Sequence, residues 1–312
     1  MKGSGKNYLK TVMAIALLLV LNVGIAQTGR ENSNSSKADT LRLLLIGNSF
    51  SQNAGQYLPQ LAREGNHPLV IGRAEIGGCS LEKHWDLAQL ADANPSEPNG
   101  KPYKGKSLRM ILSQGKWTVV TLQQNSMNSG YVATYSPYAK NLYDYIKSIQ
   151  PGARIVFHQT WAYRSDSKDF TLIAENQHAK DSDEMFHKLR EAYLGIASSL
   201  DIKVMPVGDA FHKVSSSKKW GYKPNAEYDF SHPVYPNLPN QAQSLHRGYY
   251  WDKDQKLGFD SHHANEAGCF LGSLVWYTFL FGESPEKITF VPKQVSPEFA
   301  KYLKKIANSV VK

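Results

Sequence analysis

"LLLIGNSFSQNAGQYL", residues 44–59, holds the break around which the chain is organised. An aliphatic run stops at Gly47, and Asn48, Ser49, Phe50 and Ser51 follow at once. A continuous apolar run closed by glycine reads as a strand buried on both faces, the pattern of a parallel sheet. The pattern recurs: strands are predicted at 41–47, 68–78, 116–124, 153–163 and 202–208. Helical periodicity fills the intervals, at 54–65, from Ser80 to Asp92, from Pro137 to Ile149 and at 183–200. Strands alternating with helices predict a five-stranded parallel sheet, and right-handed crossovers place helices on both faces, an α/β fold of the three-layer α/β/α sandwich type.

Outward from this centre the sequence changes character. "MKGSGKNYLK" carries three lysines, an apolar stretch of about 12 residues follows, too short to span a bilayer that needs about 20, and Gly24 and Ala26 stand where a signal peptidase reads. Residues 1–26 are therefore expected to be a signal peptide, the mature protein being exported, periplasmic or extracellular, with no stable membrane insertion after cleavage. Removing Lys2, Lys6 and Lys10 takes the formal charge from +9 to +6. The remaining Lys and Arg are scattered, which gives no nucleic-acid-binding stripe. Residues 27–40 are small and polar and read as a linker. The domain itself is expected at 41–283, and 284–312 as a C-terminal extension with an amphipathic helix. Residues 209–259, rich in His, Tyr, Pro, Asn and Trp, show no period and read as a long loop around a site.

In open parallel sheets ligands bind at the carboxyl ends of the strands. Ser49 lies just past that end of the first strand, at a turn into a helix, where its hydroxyl is exposed and its backbone N–H can face a developing oxyanion. A serine there also serves as a plain helix cap. A nucleophilic serine needs a base, and the base an orienting acid. "FDSHHANEAG", residues 259–268, supplies Asp260 three residues before His263, a spacing that on one turn lets the carboxylate reach one imidazole nitrogen. His262 is the rival base but breaks that spacing. His84, His158, His187 and His246 lack a paired carboxylate and read as core or surface residues. No His/Asp/Glu cluster shows metal-ligand spacing and no phosphate loop is present, so neither metal nor other cofactor is expected.

These residues resemble the blocks of the SGNH/GDSL hydrolase superfamily. "IGNSFS" is similar to its first block, with Asn48 where most members have Asp; "IGGCS" to its second; and "DSHHAN" with Gly268 to its last. In place of the usual Gly-x-Asn-Asp of the third block stands "LQQNS", with Asn125 in the asparagine register. An uncharacterised Bacteroidetes-type branch has this look, with "GNSFS" and "LQ" signatures. The resemblance implies a flavodoxin-like fold, Ser49 as nucleophile, His263 as base and Asp260 as its orienting acid. It further implies an oxyanion hole from the Ser49 and Gly78 N–H groups and the Asn125 amide, with Gln123 or Gln124 as alternative donors.

Trp161 and Tyr163, at the end of the fourth predicted strand, are expected on the site's rim, joined by Trp220, Tyr222, Tyr249, Tyr250 and Trp251 from the loop. Aromatic faces among polar groups suit sugar rings. The reading is an exported serine esterase acting on a glycan or small-molecule ester, most of all on O-acetyl groups of carbohydrate. A lipase or thioesterase of the same superfamily, or a catalytically silent glycan-binding module, are the alternatives. Cys79 and Cys269, in a compartment that permits disulfides, leave pairing open.

Overall fold

The computed structural model describes residues 39–311. The signal peptide and nearly all of the linker expected from the sequence lie outside them. β1 (Leu41–Gly47) leads into two short helices, α1 (Ser49–Ala54) and α2 (Leu58–Glu64), then β2 (Leu69–Glu75). α3 (Leu81–Ala93) and α4 (Leu108–Leu112) return the chain to β3 (Val119–Leu122), and α5 (Tyr138–Ile149) to β4 (Arg154–His158). A small ribbon, β5 (Leu172–Ala174) and β6 (Gln177–His178), precedes α6 (Ser182–Ser199), β7 (Lys203–Met205) and α7 (Val207–Ser215). A hairpin, β8 (His246–Trp251) and β9 (Leu257–Ala264), and two helices, α8 (Glu266–Phe281) and α9 (Pro297–Val310), complete the chain.

The central sheet has the order β2-β1-β3-β4-β7, and every pair in it is parallel. This is the doubly wound arrangement whose strand order reverses beside the first strand, the place where such sheets hold their ligands. The α/β sandwich expected from the sequence is thus the observed fold. Leu43 to Ile46 in β1 and all four residues of β3 are buried, as strands covered on both faces must be. α2, α7 and α9 pack around the apolar α8 on one side, and α3, α4 and α5 gather on the other. Tyr193 of α6 meets Tyr135 and Phe157 edge-on and extends the second layer.

Three expectations need correction. The helix expected at 54–65 begins only at Leu58, with Pro59 in its first turn where a missing N–H costs nothing, and a separate short helix, Ser49–Ala54, precedes it. The segment 209–259 is not one loop: its first residues continue α7, and from His246 it forms the hairpin. Asp260 and His263 lie not on a turn before a helix but within β9. The C-terminal segment folds back through α9 onto α7 and α8, with Trp220 stacked on Phe299 and Tyr302.

Candidate active site

Ser49 is the first residue of α1, immediately after β1. The cap is its neighbour: Asn48, in extended conformation, accepts the Phe50 N–H on Oδ1 at 3.0 Å. That amide, 1% exposed, does more than cap. Its Oδ1 also accepts Gln123 Nε2 at 2.6 Å, and its Nδ2 donates to the Cys79 carbonyl at 3.0 Å. One side chain therefore ties together the ends of β1, β2 and β3.

The candidate base, His263, arrives from the hairpin. Its register slips between His246 and Gly248, which pair with Ala264 and Asp260, so that extra residues of β9 stand out as a bulge. Bulges re-aim side chains beside active sites. Here Asp260 Oδ1 accepts the backbone N–H of His263 at 2.9 Å and of His262 at 3.2 Å, which folds the bulge back on the carboxylate. The His263 ring then lies between Asp260 and Ser49: Nδ1 is 2.8 Å from Asp260 Oδ2, and Nε2 is 3.0 Å from Ser49 Oγ. With Nδ1–H donating to the carboxylate, Nε2 is free to accept the serine proton. Burial pushes the Asp260 carboxyl up, but the hydrogen bonds from the His263 side chain and backbone, with the electrostatic pull of the two imidazoles beside it, more than offset this and hold it well below the ordinary carboxylate range.

Neighbouring elements fix the bulge. The Trp161 indole N–H donates to the His262 carbonyl at 2.9 Å, Arg164 N–H to the Ser261 carbonyl at 2.9 Å, and Ala264 N–H to Asn53 Oδ1 of α1 at 3.1 Å. Arg164, 2% exposed, pairs with Asp166 and lies under the rings of Tyr222, Tyr249 and Phe259. Asn265 caps α8 by accepting the Gly268 N–H at 3.0 Å. A Cβ at Gly268 would lie 2.1 Å from the Leu245 carbonyl, so the glycine of this block is a close-approach residue.

Opposite the base, Ile76 to Cys79 form a tight turn closed by Cys79 N–H to the Ile76 carbonyl at 3.2 Å. Gly78 takes its φ of +66°, the left-handed value this turn requires. Among the described residues neither the Ser49 nor the Gly78 backbone N–H donates a hydrogen bond. Asn125 Nδ2 donates to the Gly78 carbonyl at 3.2 Å, leaving its second N–H, and its Oδ1 accepts the Asn128 N–H at 3.0 Å, which orients the amide. Ser49, Gly78, Asn125, His262 and His263 all line one open pocket of about 410 Å³.

The other donor candidates do not reach that pocket. Gln123 is buried on Asn48 and beside His158, and Gln124 accepts the N–H groups of Leu81 and Asn125 while donating to the Thr134 carbonyl. Trp161, expected at the rim, is completely buried between Phe50 and Phe211 because the hairpin and α7 cover it. Tyr163 is buried as well, but its hydroxyl bonds Ser126 at 2.8 Å and its ring neighbours His262. Most of the loop aromatics pack internally: Trp220 on α9, Tyr222 and Tyr249 on Arg164, and Tyr250 under Arg247. His84, His158 and His246 are core residues. Cys79 and Cys269 are unpaired, and burial pushes both thiols up to about 12.

Sequence reading missed Asn53, Arg164 and Met127, whose roles depend on contacts with distant segments. It also missed that Asp183 and His187 of α6 meet His212 of α7, with ligand-type atoms within 4.8 Å of one another on an exposed surface. Asp260, His262 and His263 satisfy the same distance condition, but there Asp260 and His263 are engaged with Ser49.

A family model described as "Domain of unknown function (DUF4886)" matches residues 42–223, more than half of the chain. The chain belongs to the DUF4886 family. No curated protein matches it. Its fold is shared with the crystal structure of a DUF4886 family protein from Bacteroides uniformis ATCC 8492, 23% identical, with a TM-score of 0.68 over 88% of this chain and 95% of that one. More distantly it is similar to a putative GDSL-like lipase from Parabacteroides merdae ATCC 43184, 13% identical with a TM-score of 0.43 over 77% of this chain and 95% of that one. A possible lipase from Chitinophaga pinensis DSM 2588 is 14% identical, with a TM-score of 0.40 over 78% of this chain and 99% of that one. The DUF4886 match ends at residue 223, so Asp260 and His263 lie beyond it.

Proposed function

We propose that this DUF4886 protein is a serine esterase of the SGNH kind, exported, that removes acyl groups, O-acetyl above all, from carbohydrate. The observation that carries the reading is the unbroken chain Ser49–His263–Asp260 beside two backbone N–H groups, of Ser49 and Gly78, that have no partner among the described residues. In this mechanism Ser49 Oγ attacks the ester carbonyl while His263 Nε2 takes its proton. Asp260 holds the ring and stabilises its charged form. The oxyanion is held by the Ser49 and Gly78 N–H groups and the Asn125 amide. His263 returns the proton to the leaving alcohol, and water repeats the sequence on acyl-Ser49.

The polar groups around the pocket, Asn125, Ser126 and His262, support a hydroxylated substrate, and the sequence of residues 1–26 supports export. Among the described residues no helix is long and apolar enough to cross a membrane. One observation favours the lipase or thioesterase reading: Met127, 39% exposed, lines the same pocket and offers an acyl chain an apolar contact.

The test is hydrolysis of acetylated oligosaccharides and of aryl acetate and octanoate by the purified protein, with and without Ser49→Ala. Acetate release and fluorophosphonate labelling are expected from the parent and should be lost in the variant, with the fold kept. Equal turnover by Ser49→Ala sinks the serine mechanism; preference for octanoate moves the reading to a lipase.

A further inference from the structure

We propose that His262 reads a hydroxyl on the alcohol half of the substrate, its Nε2 accepting that proton, so that the site selects esters with a free hydroxyl beside the acyl group. The proposal rests on the serine esterase reading and narrows its substrate class to esters of polyols and sugars.

His262 lines the pocket together with Ser49 and Gly78, and its side chain is 40% exposed. Its backbone is held on both sides, the N–H by Asp260 Oδ1 and the carbonyl by the Trp161 indole. The ring is flanked by His263 at 4.1 Å and Tyr163 at 5.5 Å between centroids. The backbone of His262 is thus fixed beside the base, and among the described residues neither of its ring nitrogens makes a hydrogen bond.

The tautomer follows from Asp260. Nδ1 lies 3.3 Å from Asp260 Oδ1, out of line for a hydrogen bond, and the negative charge at that distance favours the tautomer with the proton on Nδ1. Nε2, on the opposite side of the ring, then presents a lone pair. Burial and the neighbouring His263 disfavour a second proton on His262, against the opposing pull of Asp260. The pocket thus pairs donors for the acyl oxygen, at Ser49, Gly78 and Asn125, with an acceptor next to the base that protonates the leaving alcohol. A sugar acetate supplies a hydroxyl donor on that side. A fatty thioester supplies none and leaves the acceptor unmatched.

Because His262 is partly open to water, discrimination should be about ten- to a hundredfold in kcat/KM rather than the larger factors of a sealed site. The experiment compares a sugar monoacetate bearing a free neighbouring hydroxyl with its deoxy counterpart, for the parent, His262→Phe and His262→Gln, with thermal melts to establish that each variant is folded. The parent should prefer the hydroxylated ester by that factor. His262→Phe should bring the ratio within about threefold of unity, and His262→Gln, which keeps an acceptor, should retain part of it. An unchanged ratio in folded His262→Phe, or no preference in the parent, overturns the proposal. Ser49-dependent hydrolysis of aryl acetate, which carries no such hydroxyl, is measured alongside. Its presence shows that only the hydroxyl recognition has failed, and its absence that the esterase reading has failed and taken the proposal with it.

Discussion

Asn48→Asp tests how the three strand ends are joined. The superfamily that this chain resembles mostly carries Asp at this position, so the exchange is chemically small, yet here it meets a specific obstacle. Oδ1 of the new side chain keeps the Phe50 and Gln123 donors, but the second oxygen replaces the amide nitrogen that donates to the Cys79 carbonyl at 3.0 Å. Two acceptors then face each other at a site 1% exposed. The carboxyl must either stay ionised against the carbonyl or hold a proton to restore the bond, and leaving a buried polar group unmatched costs about 1–3 kcal/mol. Its folded pKa is therefore raised above the unfolded value of about 3.9. Below that pH both states are protonated and the variant should melt close to the parent. As the pH rises from about 4 through the raised folded pKa the deficit should grow and then level off. For a domain of this size it corresponds to about 2–4 °C per kcal/mol. Because Cys79 closes the turn that positions Gly78, kcat on aryl acetate should fall too, by no more than the hundred- to thousandfold loss typical of one oxyanion donor. Melting curves and initial rates at pH 4 and 8 are the assay. Parallel melts of parent and variant across that range would refute the argument that Cys79 makes the amide necessary.

Asp260→Asn should lower kcat about 10⁴-fold, because an amide donor facing Nδ1 drives the His263 proton onto Nε2, where it blocks the serine; steady-state rates at fixed substrate check this. Asn125→Ala should lower kcat about a hundred- to a thousandfold with little change in melting temperature, whereas Gln123→Ala, which strips Asn48 of a buried partner, should act chiefly on stability. Burial pushes His84 down to about 4, His158 to about 3 and His246 to about 4. Each unfolds to a histidine of pKa about 6.5, so the unfolded state binds more protons, and stability should drop as the pH falls from about 6.5 to 4. Melting temperatures that stay flat across that window would contradict the neutral buried state.

The central sheet was legible because the aliphatic runs of β1, β3 and β4 are buried on both faces, and burial of that kind writes itself into sequence without interruption. The hairpin was not. Its strands, HRGYYW and LGFDSHHA, are polar and aromatic, lie outside the main sheet and contain a bulge, so no strict alternation survives. Ser49, Asp260, His263, Gly78 and Asn125 are singled out by their motifs; the structure brings Ser49, Gly78, Asn125 and His263 to one pocket and sets Asp260 behind His263. The rim was misread at Trp161 because its burial is imposed by Phe211 and the hairpin, elements about 50 and 100 residues further along. The three amides at 123–125 are indistinguishable on composition and are separated only by direction: Gln123 turns inward onto Asn48, Gln124 onto the start of α3 and Thr134, and Asn125 lines the pocket.

The contact between His263 and Ser49 spans 214 residues, from the helix that follows the first strand to the last strand. On the proposed serine-esterase reading, the reagent and its activator therefore sit at opposite ends of the order in which the chain emerges. While the intervening segments are being delivered, the serine is an ordinary alcohol. It acquires reactivity only when the terminal hairpin docks and α8 seats behind it. On that reading chemical competence reports the arrival of nearly the whole polypeptide, and a chain cut short before residue 257 should be inert by construction rather than through damage to its nucleophile.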